Sequence, residues 1–476
     1  MPEQNAAPHA MKLPFFLVLA GLMPAIAVPA IDTPPPQWRA GAARTIITPT
    51  EPMYLAGFAS RVVIAEGTAM DLQAKALALE DDRGTRFVMV TLDLVEVAKQ
   101  TRDAVAAQVQ AKFGLPNEAL LLNCSHTHCG PELRFTEEEF SELKDPQRRE
   151  RCLRYNAGLV AKIKGIVGES LQRLEPATLA YGHARCGFAM NRRLKNEKST
   201  GEPYLNSPNP DGVVDHDVPV LSVTRADNSL AAVVFGYACH NTTMSIKEWH
   251  GDYAGHAQRI LEEAHPGTVA LFMMGCGGDQ NGYPRFGDVF SQRHGQSLAT
   301  AVEAALQAKA RPLSGPLKTA WDTVRLDYQP LPTEEELQKR LATPQGSDPS
   351  YSIYRRDWDR RRLLALQKGS LRDHYDYPIQ VVHFGKDLTF IGLSGETCVD
   401  YSLRLKRELA GSTPLWVAGY CNDVLAYIPS KRVLMEGGYE AGTSIVYWSN
   451  PLHPNVFAPS LEERIMGRAI GMARQP

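Results

Sequence analysis

Two histidines separated by one residue are the feature of the sequence best suited to chemistry. His126 and His128 lie in the segment 121–131, which begins as an apolar run and ends in Gly-Pro. In an extended chain, side chains two residues apart point to the same side. Two imidazoles on one side suit a zinc ligand and an adjacent general acid or base. A structural or merely exposed pair is the alternative for this short motif taken alone.

Two further candidate ligands stand at similar places along the chain. His240 closes the apolar run 231–238, and Glu396 follows the apolar run 388–393. Two histidines and a glutamate form the three-residue set typical of a catalytic zinc. Their wide separation in sequence fits an assembled site rather than a zinc finger. The alternatives are a hydrogen-bonded core histidine at 240 and, at 396, an acid that stabilises the N-terminus of the predicted helix 399–409.

The elements that position these residues follow an α/β pattern. Short apolar runs rich in β-branched residues alternate with helical patterns, which indicates a sheet flanked by helices. The clearest unit is a strand at 87–92, a helix at 101–113 and a strand at 119–123. Further strands are predicted at 231–238, 269–274, 388–393 and 415–419, and further helices at 155–173, 255–264, 292–308 and 333–342. Side chains that follow the carboxyl ends of strands converge on one crevice, so distant residues meet there.

Other polar segments have simpler interpretations. The glycine-rich segments 251–256 and 274–282 either bring backbone amides close to a ligand or form turns. Neither is a phosphate-binding loop, because no Gly-Lys-Ser/Thr follows. His250 and His256 are expected to be exposed surface histidines. The stretch 329–367 carries a run of arginines and is expected to form a solvated helical face: Arg355, Arg356, Arg360, Arg361 and Arg362.

Composition and charge limit the classes of function. The chain has 476 residues, of which 44% are hydrophobic and 22% charged, so it can form a large core. The formal net charge is −2. A chain without a basic field is a poor ligand for a polyanion, which argues against nucleic-acid binding.

The N-terminal segment has the features of a signal peptide. Lys12 precedes an apolar run at 13–23, and small residues of the type a signal peptidase cleaves follow at 25–30. The run is shorter than the ~20 residues that a membrane-spanning helix needs. We therefore assign residues 1–30 to a signal peptide and leader and expect export to the periplasm or the extracellular space. Translation from Met1 and from Met11 are both compatible with this pattern.

Eight cysteines leave two interpretations open. No two of them have the spacing Cys-x-x-Cys, so an all-cysteine zinc site is not supported. An exported chain can form disulfides, and buried free thiols are the alternative.

An ordered set of short motifs resembles the neutral/alkaline non-lysosomal ceramidases, and more closely their shorter bacterial relatives. The motifs lie at 41–49, 55–58, 71–77, 91–94, 126–131, 190–192, 214–221, 240–242, 278–279, 395–396, 427 and 439–441. The resemblance implies a catalytic domain with mixed sheets flanked by helices, which forms a single domain over 38–476. The C-terminal immunoglobulin-like domain of the classical members is expected to be absent.

The resemblance also implies roles for individual residues. The family's zinc ligands fall on His126, His240, Glu396 and Tyr427, and its other catalytic groups fall on His128, Arg192 and Tyr439. Arg193 stands beside Arg192, and either could be the active-site arginine.

The implied activity is hydrolysis of an amide bond by a zinc-activated water. The substrate would be an N-acylated lipid such as ceramide, cleaved to a fatty acid and sphingosine, which would bring the protein to a membrane surface. A zinc hydrolase of the same fold that acts on a different amide or ester is the alternative. A non-catalytic exported binding protein is disfavoured, because the complete set of candidate ligands is present. The oligomeric state stays open.

Overall fold

The computed structural model describes residues 38–59, 61–133, 146–198, 202–344, 352–411, 413–448 and 452–475. The predicted signal peptide lies outside these ranges. No helix in them is long and apolar enough to cross a membrane.

The larger of the two main sheets has nine strands, two of which precede the loops that carry His126 and His240. Its strands follow the order β12-β10-β9-β6-β1-β3-β4-β5, with β14 paired to β6. Their bounds are β1 Trp38–Ile46, β3 Gln73–Asp81, β4 Arg86–Leu92, β5 Leu120–Cys124, β6 Glu175–Arg185, β9 Asp217–Arg225, β10 Leu230–Tyr237, β12 Val269–Met274 and β14 Arg311–Pro312. The pairs β4–β5 and β10–β12 are parallel and the others are antiparallel, so the sheet is mixed.

The second main sheet has four strands and leads to Glu396. It comprises β15 Leu317–Asp327, β16 His374–Phe384, β17 Leu388–Leu393 and β19 Leu415–Ala418, in the order β15-β16-β17-β19. Three small sheets complete the set: β2 Gly67–Thr68 with β11 Glu248–Trp249, β7 Ala189–Lys195 with β8 Tyr204–Asn209 and β13 Gln280–Gly282, and β18 Glu396–Thr397 with β20 Tyr427–Ile428.

Helices cover the outer faces of the two main sheets. They are α1 Lys99–Phe113, α2 Pro146–Gln172, α3 Asp252–Ala264, α4 Asp288–Gln307, α5 Glu334–Ala342, α6 Ile353–Gln367, α7 Val399–Glu408, α8 Lys431–Glu436 and α9 Leu461–Ala473. Helices α2, α3 and α4 pack on the larger sheet, α1 packs on α2, and α9 packs on β15 and β16 of the second sheet.

The two main sheets pack face to face, because their strands alternate in side-chain direction. Leu77 and Leu79 of β3 belong to a core shared with Phe390 and Trp416 of the second sheet. Ala76, beside Leu77 in sequence, faces the helical layer instead. This period of two gives β3 two buried faces and produces four layers in the order helix, sheet, sheet, helix.

The α/β class with mixed sheets is confirmed, and the predicted strands agree with the observed ones within one residue at each end. Helices α1 to α4 begin earlier than predicted, whereas α5 begins one residue later and α7 begins at the predicted residue. The helix predicted at 155–173 begins at Pro146, a residue whose fixed φ suits the first helical position.

The prediction of a solvated arginine face is wrong for part of α6. Arg362 is 2% exposed and Arg361 is 8% exposed, and Trp358 lies on the same buried face. The run of charges gave no sign of this buried face. Arginine side chains can nevertheless be buried when their guanidinium groups form hydrogen bonds or ion pairs.

Candidate functional site

The loops after β5 and β10 bring the three predicted histidines together. His126, His128 and His240 are buried, and their ligand atoms lie within 4.8 Å of one another. The expected extended geometry of the histidine pair is wrong, because His126 has φ of 62°. This left-handed conformation is uncommon for a residue with a side chain and is concentrated at functional sites.

A short parallel ladder places Glu396 beside Tyr427. In the pairing of β18 with β20, Glu396 is the register partner of Tyr427. The structure therefore brings together all four residues on which the resemblance places the metal ligands. A helix-capping role for Glu396 is not observed, because its carboxylate contacts the histidines instead.

The donor atoms have the spacing of ligands around a single ion. The Glu396 Oε2 atom lies 3.3 Å from His126 Nε2 and 3.1 Å from His240 Nε2. The Tyr427 hydroxyl lies 3.2 Å from His240 Nε2, and His128 Nε2 lies 3.2 Å from His126 Nε2. Four ligands at 2.0–2.1 Å from a tetrahedral ion lie about 3.3 Å from each other, so the donor set fits such a metal.

The hydrogen bonds of the Nδ1 atoms distinguish two of the histidines from the third. The Nδ1 of His126 contacts the Val95 carbonyl at 2.6 Å, and the Nδ1 of His240 contacts the Gly277 carbonyl at 2.8 Å. Donation from Nδ1 to a carbonyl leaves the Nε2 lone pair free, which is the usual arrangement of a metal-ligating histidine. The buried Nδ1 of His128 has no hydrogen-bond partner among the described residues. His128 thus lacks the hydrogen bond that fixes each of the other two rings.

Burial controls the charge of these groups. Burial lowers the pKa of His128 well below its usual value and lowers that of His240 to about 3, so both rings are neutral at pH 7. Burial opposes ionisation of Glu396, but the adjacent His126 and His240 hold its pKa well below the usual range. Burial and the nearby Glu396 carboxylate raise the pKa of Tyr427. A neutral imidazole, such as that of His240, and a carboxylate are donors that Zn²⁺ prefers.

The structure distinguishes the two candidate arginines. Arg192 donates from Nη2 to the Tyr427 hydroxyl at 3.1 Å and from Nε to Glu440 at 2.8 Å. Arg193 also binds Glu440, at 2.7 Å, but its other nitrogen donates to Glu436 and to the Gly437 carbonyl. Of the two arginines, only Arg192 donates to a residue of the cluster, the Tyr427 hydroxyl.

Tyr439 lies next to the cluster on the segment that follows α8. Its ring centroid is 5.4 Å from that of Tyr427, and the Arg192 guanidinium carbon lies 5.8 Å from its ring. Burial raises the pKa of Tyr439, so its hydroxyl keeps its proton at neutral pH.

Three residues of the site were missed by sequence analysis. The buried Tyr420 donates to Glu396 Oε2 at 3.2 Å, and its ring packs against His126 at 4.8 Å. Glu440 holds both arginines. The Asn123 side chain joins the ends of three strands, by accepting from the Met274 amide at 2.8 Å and donating to the Gly419 carbonyl at 2.7 Å. Tyr420 and Asn123 each end an apolar run, which was the only available signal.

The histidines at 250 and 256 were expected on the surface but are buried, at 3% and 4% exposure. Together with Asp288 they form a second group whose ligand atoms lie within 4.8 Å of one another. The Nδ1 of His250 accepts the Asp252 amide at 2.8 Å, so the proton of the neutral ring is on Nε2. That proton occupies the nitrogen that would otherwise bind an ion.

All eight cysteines lie in the described part of the chain, and all eight are buried free thiols. Burial raises the pKa of each thiol for which a shift is resolved, for example to about 11 for Cys129 and about 12 for Cys276 and Cys421. The open question left by the sequence is therefore answered by free thiols in this structure.

Residues 38–299, more than half of the chain, match the family model described as "Neutral/alkaline non-lysosomal ceramidase, N-terminal". The chain belongs to the neutral/alkaline non-lysosomal ceramidase family. The resemblance seen in the sequence is thereby confirmed, and His126, His128, Arg192 and His240 lie inside the matched ceramidase region. No curated protein sequence matches the chain.

Two solved ceramidases have the same fold. A ceramidase complexed with C2 has 20% sequence identity and a TM-score of 0.68, over 92% of this chain and 75% of the other. A neutral ceramidase from Pseudomonas aeruginosa has 21% identity and a TM-score of 0.69, over 93% of this chain and 74% of the other. At these identities the likeness concerns the ceramidase fold, and Glu396 and Tyr427 lie beyond the region matched by the family model.

Proposed function

We propose that the protein is a zinc-dependent amidohydrolase that cleaves the amide bond of an N-acylated lipid such as ceramide. The observation that carries this proposal is the convergence of His126, His240, Glu396 and Tyr427, with neighbouring donor atoms 3.1–3.3 Å apart. Zinc, when bound at such a centre, polarises a carbonyl oxygen and acidifies water.

In this proposal the ligand set is His126, His240, Glu396 and Tyr427, and His128 carries the proton. His128 is neutral at pH 7, and its Nε2 is 3.2 Å from that of His126. A neutral imidazole at this place takes a proton from water and returns it to the leaving amine. Its unsupported Nδ1 favours this role over that of a fixed ligand.

Arg192 and Tyr439 would stabilise the negative charge that develops on the amide oxygen. The Arg192 guanidinium is buried and permanently charged, and Glu440 holds it in place. The Tyr439 hydroxyl is protonated and belongs to a partly exposed residue beside the buried centre. Preorganised donors in a site that excludes water stabilise such charge most effectively.

A row of tyrosines supports an apolar substrate. Ring centroids are 5.4 Å apart from Tyr427 to Tyr439, 6.3 Å from Tyr439 to Tyr447, and 5.0 Å from Tyr447 to Tyr354. Tyr354 and Tyr447 are exposed. The row therefore connects the buried centre with solvent through aromatic surface, which suits an acyl chain.

We further propose that the protein is exported, that residues 38–476 act as one catalytic domain, and that a lipid substrate is taken from a membrane surface. The pattern of residues 12–30 supports the first of these proposals, and the ceramidase complexed with C2 supports a lipid-like substrate.

The decisive experiment measures metal content and hydrolysis on the same purified sample. We expect close to one zinc per chain by elemental mass spectrometry, together with release of fatty acid from ceramide. Zinc without turnover of ceramide, but with turnover of another amide or ester, would favour the alternative hydrolase. Absence of both zinc and hydrolysis on a broad panel would rule out the enzyme assignment.

A further inference from the structure

We propose that a cavity lined in part by the segment 437–445 binds an anionic amphiphile, a molecule with a carboxylate head and a short apolar chain. The cavity has a volume of about 560 Å³ and lies between α6, the loop 329–332 and the segment 437–445. Cavities of this size are typical of small-molecule sites. It is separate from the candidate metal centre, none of whose residues lines it.

Three arginines line this cavity and provide the recognition of an anion. Arg362 is buried, stacks on the Trp358 ring with 3.4 Å between its guanidinium carbon and the ring centroid, and has an Nε atom without a hydrogen-bond partner in the described part of the chain. Arg355 forms no ion pair with any residue in the described ranges. Arg340, the third, lies 3.9 Å from the buried carboxylate of Asp359.

The described charges around the cavity leave one positive charge in excess. Glu336 lines the cavity and accepts from the Thr333 amide in the capping box of α5, and Asp359, which does not line the cavity, pairs with the lining Arg362. Three guanidinium groups against two carboxylates match a ligand with a single negative charge. The planar guanidinium group binds a carboxylate through two parallel hydrogen bonds.

The other walls are apolar and explain why the ligand should carry a chain. Leu331, Leu434, Ile445 and Val456 line the cavity together with Trp358. The segment 437–442 also contributes to it, although Tyr439 and Glu440 of the same segment turn toward the candidate metal centre. A bound amphiphile would therefore contact the segment that carries both residues.

Titration calorimetry with decanoate, below the concentration at which it self-associates, tests the proposal. The experiment uses the full chain carrying His126→Ala, so that binding of a carboxylate at the metal centre does not contribute. Arg355→Gln removes a charge that has no counter-ion in the described ranges, and Leu331→Trp fills the cavity from a loop. Arg360→Gln is the matched control, because Arg360 is on the same helix but does not line the cavity.

We expect saturable binding of decanoate, at least about tenfold weaker binding after Arg355→Gln or Leu331→Trp, and unchanged binding after Arg360→Gln. Decyltrimethylammonium, which has a similar chain and the opposite charge, should bind at least about tenfold more weakly than decanoate. Absence of saturable binding, equal binding of the cation, or unchanged binding after Arg355→Gln would each overturn the proposal. Because the background is inactive, these outcomes are independent of the proposed hydrolysis.

Discussion

At the scale of single residues, the hydrogen-bond partner of each Nδ1 atom distinguishes the three histidines better than their spacing in the sequence does. His126 and His240 each direct Nδ1 to a backbone carbonyl, whereas the Nδ1 of His128 has no partner among the described residues. A ligand needs a fixed ring and a free Nε2 lone pair, and a proton carrier needs a ring that is neutral near the working pH. The three rings are thus chemically different although they form one cluster.

This difference predicts opposite effects of two alanine substitutions on metal content. We expect His126→Ala to lose most of the bound zinc and all hydrolysis. His128→Ala should keep close to one zinc per chain but lose at least about a hundredfold in kcat, the usual contribution of a general acid or base. Elemental mass spectrometry and a fatty-acid release assay on the same preparations measure both effects. Loss of zinc from the His128→Ala variant would show that His128 is a ligand.

The resemblance named residues that the structure brings together, and the roles it implies for them stay predictions, but it could not predict their geometry. His126 was expected in an extended segment, and its positive φ followed only from the structure. Arg192 and Arg193 were indistinguishable in the sequence, and their different hydrogen-bond partners followed only from the structure. Tyr420 was missed because its contact with Glu396 joins loops after two different strands.

At the scale of elements, the loop after β1 holds the His128 ring in place. Gly57 has φ of 94°, and a Cβ atom at this position would lie 2.3 Å from the Cγ atom of His128. The Phe58 ring packs against the same imidazole, at 4.6 Å. The loop thus takes over the positioning that a hydrogen bond to Nδ1 would otherwise provide.

We therefore expect Gly57→Ala to lower kcat at least about tenfold while zinc content is retained, because a displaced general acid or base loses its reach. Gly84→Ala is the matched control, since Gly84 has φ of 80° but a Cβ atom there would meet no other atom within 4 Å. Both substitutions carry the backbone cost of a side chain at positive φ, about 1 kcal/mol, and only the first displaces His128. Steady-state kinetics and thermal unfolding of the two variants separate the effects. Equal activity of the two variants would contradict this role for the loop.

The six predicted strands could be recognised because their apolar runs are short and uninterrupted. The pairing of the small elements could not be predicted from the sequence. The two-residue ladder of β18 with β20 sets Glu396 against Tyr427, but two residues are too few to produce a periodic pattern. Several antiparallel strands were also missed: β1, β3, β6, β9, β15 and β16. Of these, β6, β15 and β16 mix polar and apolar residues because one face or one end is exposed.

At the scale of the whole molecule, a buried carboxyl group makes stability depend on pH. Burial raises the pKa of Asp423 to about 7, and the hydrogen bond that it accepts from Tyr375 acts in the opposite direction. In the unfolded chain the pKa of an aspartate is about 3.9. Between these values the native state holds a proton that the unfolded state has lost, so the free energy of unfolding falls as pH rises from about 4 to 7.

The substitution Asp423→Asn should remove this component. The free energy of unfolding falls between about pH 4 and pH 8 in the wild type. We expect this fall to be smaller by about 2 to 4 kcal/mol in Asp423→Asn, as a shift of about three pKa units implies. Urea unfolding at several pH values measures the difference. Asp211→Asn, at an exposed position, should leave the pH dependence unchanged. A parallel pH profile for Asp423→Asn would contradict the prediction.

The eight buried thiols can be used to detect local unfolding of the native structure. Each is shielded in the native state, so a pulse of a thiol-specific mass tag can modify a cysteine only where the surrounding structure has opened. The cysteines are distributed from β5 to the segment after β19. Counting tags by peptide mass therefore gives a regional map of exposure, without the introduction of any foreign label site.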